Sequence, residues 1–99
     1  MRTLGFPFYC NGYMHELIER KGLVCLVKRS KPEHWHYEVV KLKVFKPEEF
    51  KGKMLPEREA YPSSEYWGTN GFTFRSDELN KARERYLYLK KRVSDAPAR

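Results

Sequence analysis

A chain of 99 residues, 40% apolar and 33% charged, is enough sequence for one domain: too short for two cores and too apolar for disorder. Twenty Lys and Arg against thirteen Asp and Glu give a net charge of +7, a field that favours nucleic acid, acidic proteins or anionic surfaces as partners. No apolar run reaches the length of a membrane helix, the first residues lack the apolar stretch of a secretory signal, and two cysteines cannot build a disulfide scaffold. A cytoplasmic address with Cys10 and Cys25 as free thiols is the expectation.

In chain order, Leu4-Gly5-Phe6-Pro7-Phe8-Tyr9 reads as an edge strand or an extended lead-in that lays Phe6 and Phe8 on the core. From Tyr13 to Lys21 the apolar Met14, Leu17 and Ile18 fall at helical spacing, with Asn11 as N-cap and Gly22 as C-terminal stop, so the spacing predicts a short helix. Leu23 to Val27 is apolar at every position, which predicts a central strand covered on both faces. His36 to Phe45 alternates, with His36, Glu38, Val40 and Leu42 on one face and Tyr37, Val39, Lys41 and Lys43 on the other, so residues 23–45 form a β-hairpin.

Residues 46–66, with three prolines and few aliphatics, read as a long loop. Trp67 to Phe74 reads as a glycine-rich turn feeding a third strand with Phe72 and Phe74 on one face, and Ser76 or Asp77 caps a helix from Glu78 to about Val93 whose buried stripe is Leu79, Ala82, Tyr86, Leu89 and Val93. The fold expected is α+β: a short N-terminal helix, an antiparallel sheet of about three strands with a central hairpin, and a longer C-terminal helix on one sheet face. Residues 1–93 form the single domain and 94–99 a disordered tail.

Catalytic patterns are missing. His15-Glu16-Leu17-Ile18-Glu19 begins like a zinc-protease helix, but Glu19 stands where a second His is needed. Cys25 has apolar neighbours and no base to activate it, and Gly68 and Gly71 lack the spacing and the Lys of a phosphate loop. No catalytic residue, metal site or cofactor is assigned, and the chain is expected to bind and not to catalyse.

The charge is local: residues 20–53 hold ten basic and four acidic side chains, and residues 76–99 hold seven and four. Lys28, Arg29, Lys41 and Lys43 on the hairpin, and Lys81, Arg85 and Arg92 with Tyr88 on the helix, mix cations with an aromatic as nucleic-acid contact requires. Asn70-Gly71-Phe72-Thr73-Phe74-Arg75 resembles a fragment of the RNA-recognition-motif signature. It lacks the basic residue, the aliphatic and the last aromatic of that motif, so core packing of Phe72 or Phe74 is the reading preferred.

Tyr61-Pro62-Ser63-Ser64-Glu65-Tyr66-Trp67-Gly68-Thr69-Asn70-Gly71-Phe72-Thr73-Phe74, between a lysine-rich hairpin and a helix with Ala82 and Tyr86, resembles small uncharacterised proteins of tailed bacteriophages. The resemblance spans about residues 22–90 and implies a stoichiometric binder, modulating or inhibiting a host or defence protein, with a basic nucleic-acid-binding accessory protein as the alternative. For the first role Tyr61, Tyr66 and Trp67 are the candidate anchors, presented on the long loop.

Overall fold

The structure is a computed structural model that describes the backbone of residues 3–95 and the side chains of residues 3–92. Its centre is a five-stranded antiparallel sheet in the order β1 (Phe8–Cys10), β2 (Tyr13–Lys21), β3 (Val24–Lys31), β4 (His34–Lys41) and β9 (Gly71–Arg75). Three two-residue turns join the first four strands, because Cys10 pairs with Tyr13, Lys21 with Val24 and Lys31 with His34. Each turn carries a residue in the left-handed region: Asn11 and Gly12 at φ 53 and 81, Gly22 at 59, and Glu33 at 68. Such a backbone matches the twist of tight hairpins.

Between β4 and β9 the chain leaves the sheet as a double hairpin. Strands β5 (Lys43–Phe45) and β8 (Arg58–Ala60) form its root, and β6 (Glu48–Phe50) and β7 (Lys53–Leu55) its tip, closed by Lys51 and Gly52 at φ 50 and 76. This β-arm replaces the long loop expected over 46–66. The body is accordingly elongated, 46 × 37 × 21 Å with a radius of gyration of 14.5 Å, against about 13 Å for a compact chain of this length. After a single 3-10 turn at Ser64–Tyr66, β9 pairs with β4, and helix α1 (Leu79–Asp95) returns across one face.

The expected N-terminal helix is absent, and its residues are strand β2. Asn11-Gly12 is a hairpin turn and not a cap. The helical spacing of Met14, Leu17 and Ile18 comes from a bulge: Leu17 pairs with Val27 and Glu19 with Leu26, leaving Ile18 as an extra residue. A bulge breaks the two-residue alternation of a strand and can bring neighbouring side chains to one face, a pattern easily read as helical. The sheet therefore has five strands where about three were expected. The hairpin of β3 and β4 is present but ends at Lys41 and not at Phe45, because Lys43–Phe45 pair with β8 in the arm; the third expected strand and the C-terminal helix are present, the helix includes Ser94 and Asp95, and residues 96–99 of the expected tail lie outside the described residues, as does the Val93 side chain.

Because β3 is central and apolar on both faces, it joins two cores instead of one. Val24, Leu26 and Val39 pack under Ala82 and Tyr86 of α1, with Ile18, Tyr37, Phe74 and Leu89 at the margin. On the other face Cys25, Val27, Val40 and Leu42 pack under Leu4, Phe6, Leu23, Tyr61 and Trp67. Burial of four consecutive residues, Val24 to Val27, with no exposed surface is worth on the order of 1.5–3 kcal/mol for each large side chain. The 61–67 segment thus shares the covering of the second core with Leu4 and Phe6.

Candidate functional site

The segment over the second core is fastened by a buried carboxylate. Glu38 projects from β4 beneath it and accepts a 2.6 Å hydrogen bond from the Tyr61 hydroxyl, with Arg29 Nη1 at 3.3 Å and His36 Nε2 at 3.4 Å. Burial, reinforced by Glu38, pushes the Tyr61 hydroxyl far above its ordinary range, so it remains protonated as a donor. Arg29 lies over the Tyr13 ring at 4.1 Å, while its Nε is buried without a hydrogen-bond partner. Trp67 is fixed in turn: its Nε1 donates to Thr73 Oγ1 at 2.8 Å, and its ring lies where a β-carbon on Gly71 would meet it at 2.4 Å. Only glycine permits that approach.

A cavity of about 580 Å³ remains beside this network, with Phe8, His15, Arg29, Glu38, Tyr61 and Trp67 among its walls. His15 stacks on Phe8 at 4.5 Å and meets Tyr61 edge-on at 5.2 Å, and its Nδ1 donates to the Tyr13 carbonyl at 3.2 Å. Burial, then the Arg29 charge, holds its pKa below the usual value. Here the carboxylate is engaged by three donors, the phenol is held protonated, and the imidazole is neutral at pH 7. Cys10, Ser63 and Ser64 also line the cavity beside them. Glu19 faces the opposite side of the sheet from His15, paired with Arg83 of α1, because the bulge separates them. Cys10 is exposed, and the Cys25 thiol is raised to about 11 by burial.

Apolar side chains face solvent at several places, among them Tyr9, Trp35 and Leu87, and four of them gather on the β-arm. Phe50 is 58% exposed and Met54 69%, and Val44 and Phe45 are also exposed. Phe50 lies opposite Lys53, and Met54 opposite Glu49. Cross-strand partners share a face and successive residues alternate, so Phe50 and Met54 project from opposite faces of the tip. The tip strands pair with no other strand. At the root, Glu59 is buried and ties the arm to the body: its Oε2 accepts from Arg20 Nη2 at 2.5 Å and its Oε1 from the Leu4 amide at 3.0 Å. The Arg20 bond holds the Glu59 carboxyl below its usual range.

Of the aromatic anchors expected on the loop, Tyr61 and Trp67 point inward to the second core, and Tyr66 is half-buried with Lys43 Nζ 4.0 Å from its ring. Of the expected basic residues, Arg29 is engaged with Glu38, Lys28 lies 5.7 Å from Trp35 at the hairpin end, and Lys41 and Lys43 stand by the root of the arm. Lys81, Arg85, Tyr88 and Arg92 do come together along α1. Sequence reasoning missed Phe50 and Met54, although Lys51-Gly52 between two strand-like triplets was a hairpin signal.

No protein family, curated protein or solved structure matches the chain. Among the described residues, no helix is long and apolar enough to cross a membrane.

Proposed function

We propose that this chain is a non-catalytic binding protein that inserts the tip of its β-arm into an apolar cleft of a partner protein. The observation that carries this reading is the pair Phe50 and Met54, exposed on opposite faces of a two-stranded tip. A patch for a flat partner would gather its apolar side chains on one face; a tip apolar on both is suited to being gripped from two sides. The arm's charges are nearly balanced, five basic against four acidic over residues 43–60, which favours a protein surface over a polyanion. Aromatic and methionine side chains are the residue types enriched at interface cores.

The resemblance to phage proteins directs the search to a bacterial lysate and to host or defence proteins. A photo-crosslinking residue in place of Phe50 should join one partner after nuclease treatment. The double substitution F50D/M54D should abolish capture while leaving the melting temperature in place, since a desolvated anchor is worth about 2 kcal/mol or more. Equal capture by the double variant and the unaltered chain would refute the arm as the docking element.

A further inference from the structure

Much of the chain's excess charge lies on a surface the arm does not share. Helix α1 has six Lys and Arg against two Asp and Glu. At 100° per residue, Lys81, Arg85, Tyr88 and Arg92 fall within about 60° of one another on the helix surface. Beside this stripe runs β9, the sheet's last strand, with Phe72 and Phe74 on the face that α1 covers. Helix and strand enclose an open groove of about 420 Å³ lined by Phe74, Lys81, Glu84, Arg85 and Tyr88.

Cations and rings alternate within it. The Arg85 guanidinium lies 4.5 Å from the Phe72 ring and 5.6 Å from the Tyr88 ring, and that of Arg92 lies 5.8 Å from Tyr88, with Nη1 3.4 Å from the Tyr88 oxygen. Arg85 has no carboxylate partner among the described residues, whereas Lys81 is held by Glu78 at 3.0 Å. Tyr88 is 51% exposed and so offers ring surface to a ligand. A row of cations would suit any polyanion. Interleaved rings add affinity only where the ligand carries flat, unstacked faces, and a duplex keeps its bases stacked inside.

We infer that the α1–β9 groove binds a single-stranded nucleic acid, with Lys81, Arg85 and Arg92 on phosphates and Tyr88 stacked on a base. Lys81 to Arg92 spans about 16 Å of helix, so the site is a short clamp. Glu84 in its wall sets a repulsive limit on one side and makes Arg85 the central cation. The inference owes nothing to the arm, and F50D/M54D should bind oligonucleotide as the unaltered protein does.

The test is fluorescence anisotropy with a labelled 20-nucleotide oligo-dT, a labelled duplex of the same length and polyglutamate as competitor. If three phosphates are met, single-strand affinity should fall about twentyfold between 50 and 200 mM salt. Arg85→Glu should weaken binding and flatten that dependence, with Arg85→Gln as the milder variant should the reversal disturb the helix. Tyr88→Ala should weaken the single strand roughly tenfold and the duplex far less. Lys90→Glu, on the far side of the helix, makes the same charge change as Arg85→Glu and should cost much less. The proposal is overturned by no binding at 50 mM salt, by equal affinity for duplex, by displacement by polyglutamate as readily as by oligo-dT, or by equal losses from Lys90→Glu and Arg85→Glu. Indifference to Tyr88→Ala would also sink it.

Discussion

The β-arm and helix α1 both present themselves to solvent, yet they divide the molecule's binding resources between them. The arm is nearly neutral and ends in exposed Phe50 and Met54, whereas α1 carries six basic residues and keeps its apolar stripe against the sheet. They differ as much in what they do for the fold. Ala82 and Tyr86 close the first core, while the arm meets the body at its root, through Glu59 and through Lys43 beside the Tyr66 ring. The arm's exposed Phe50 and Met54 thus lie apart from the cations of α1, which also exposes Leu87 and Tyr88, and each surface can be altered without disturbing the other.

The sharpest way to break this contrast is to remove a piece of each. Tyr86→Ala should cost about 3 to 5 kcal/mol in denaturant unfolding. Replacing residues 46–57 by Asn-Gly, which joins the paired Phe45 and Arg58 by a two-residue turn, should leave stability within about 0.5 kcal/mol while abolishing partner capture. An arm deletion that unfolds the protein would show that the arm is structural. A smaller loss is expected from Gly71→Ala, where the new β-carbon must displace the Trp67 ring; overpacking of this kind costs about 1 to 3 kcal/mol, and tryptophan fluorescence should report the displaced ring.

These contrasts were unevenly legible in the sequence. The run Leu23 to Val27 announced a strand covered on both faces, and the spacing of Leu79, Ala82 and Tyr86 announced the helix on the sheet, because deep burial leaves long apolar patterns. The arm left almost none. Its strands are three residues each, too short for alternation to register, and its prolines and glutamates imitate a loop. Strand β2 is obscured for a different reason, since the bulge converts its alternation into an apparent helical spacing and Asn11, a hairpin-turn residue, imitates an N-cap. Tyr61 and Trp67 were visible as large aromatics, but which way they face depends on Glu38 and Gly71, tens and single residues away in sequence, and no local pattern reports that.

Two milder measurements sharpen the picture of how arm and body are joined. His15 has a folded pKa below its unfolded 6.5, so the unfolded chain binds more protons and stability should begin to fall as the pH drops through 6.5. Glu59 is likewise depressed; its contribution is present above its usual range and is lost at still lower pH, as the folded carboxyl titrates. His15→Gln should flatten the first decline and Glu59→Gln the second, in denaturant titrations at stepped pH. Smallest in energy is the thiol contrast: Cys10 is exposed and should react promptly with a thiol reagent, while Cys25, buried with its thiol raised to about 11, should react only as the sheet opens. Equal labelling rates would show that β3 is not the protected centre.

The bulge at Ile18 has a bearing on which length changes the sheet can absorb. Insertions and deletions in a central ladder ordinarily shift every following side chain to the wrong face. Here the register is the same on either side of Ile18 as it would be in an uninterrupted strand one residue shorter, with Leu17 opposite Val27 and Glu19 opposite Leu26. Deleting Ile18 should therefore leave Arg20 aimed at Glu59 and Glu19 at Arg83, forfeiting only the packing of one side chain, whereas deleting Glu16 or Arg20 would misdirect one flank of the strand. Strand β2 thus has a single position at which its length and its register are uncoupled.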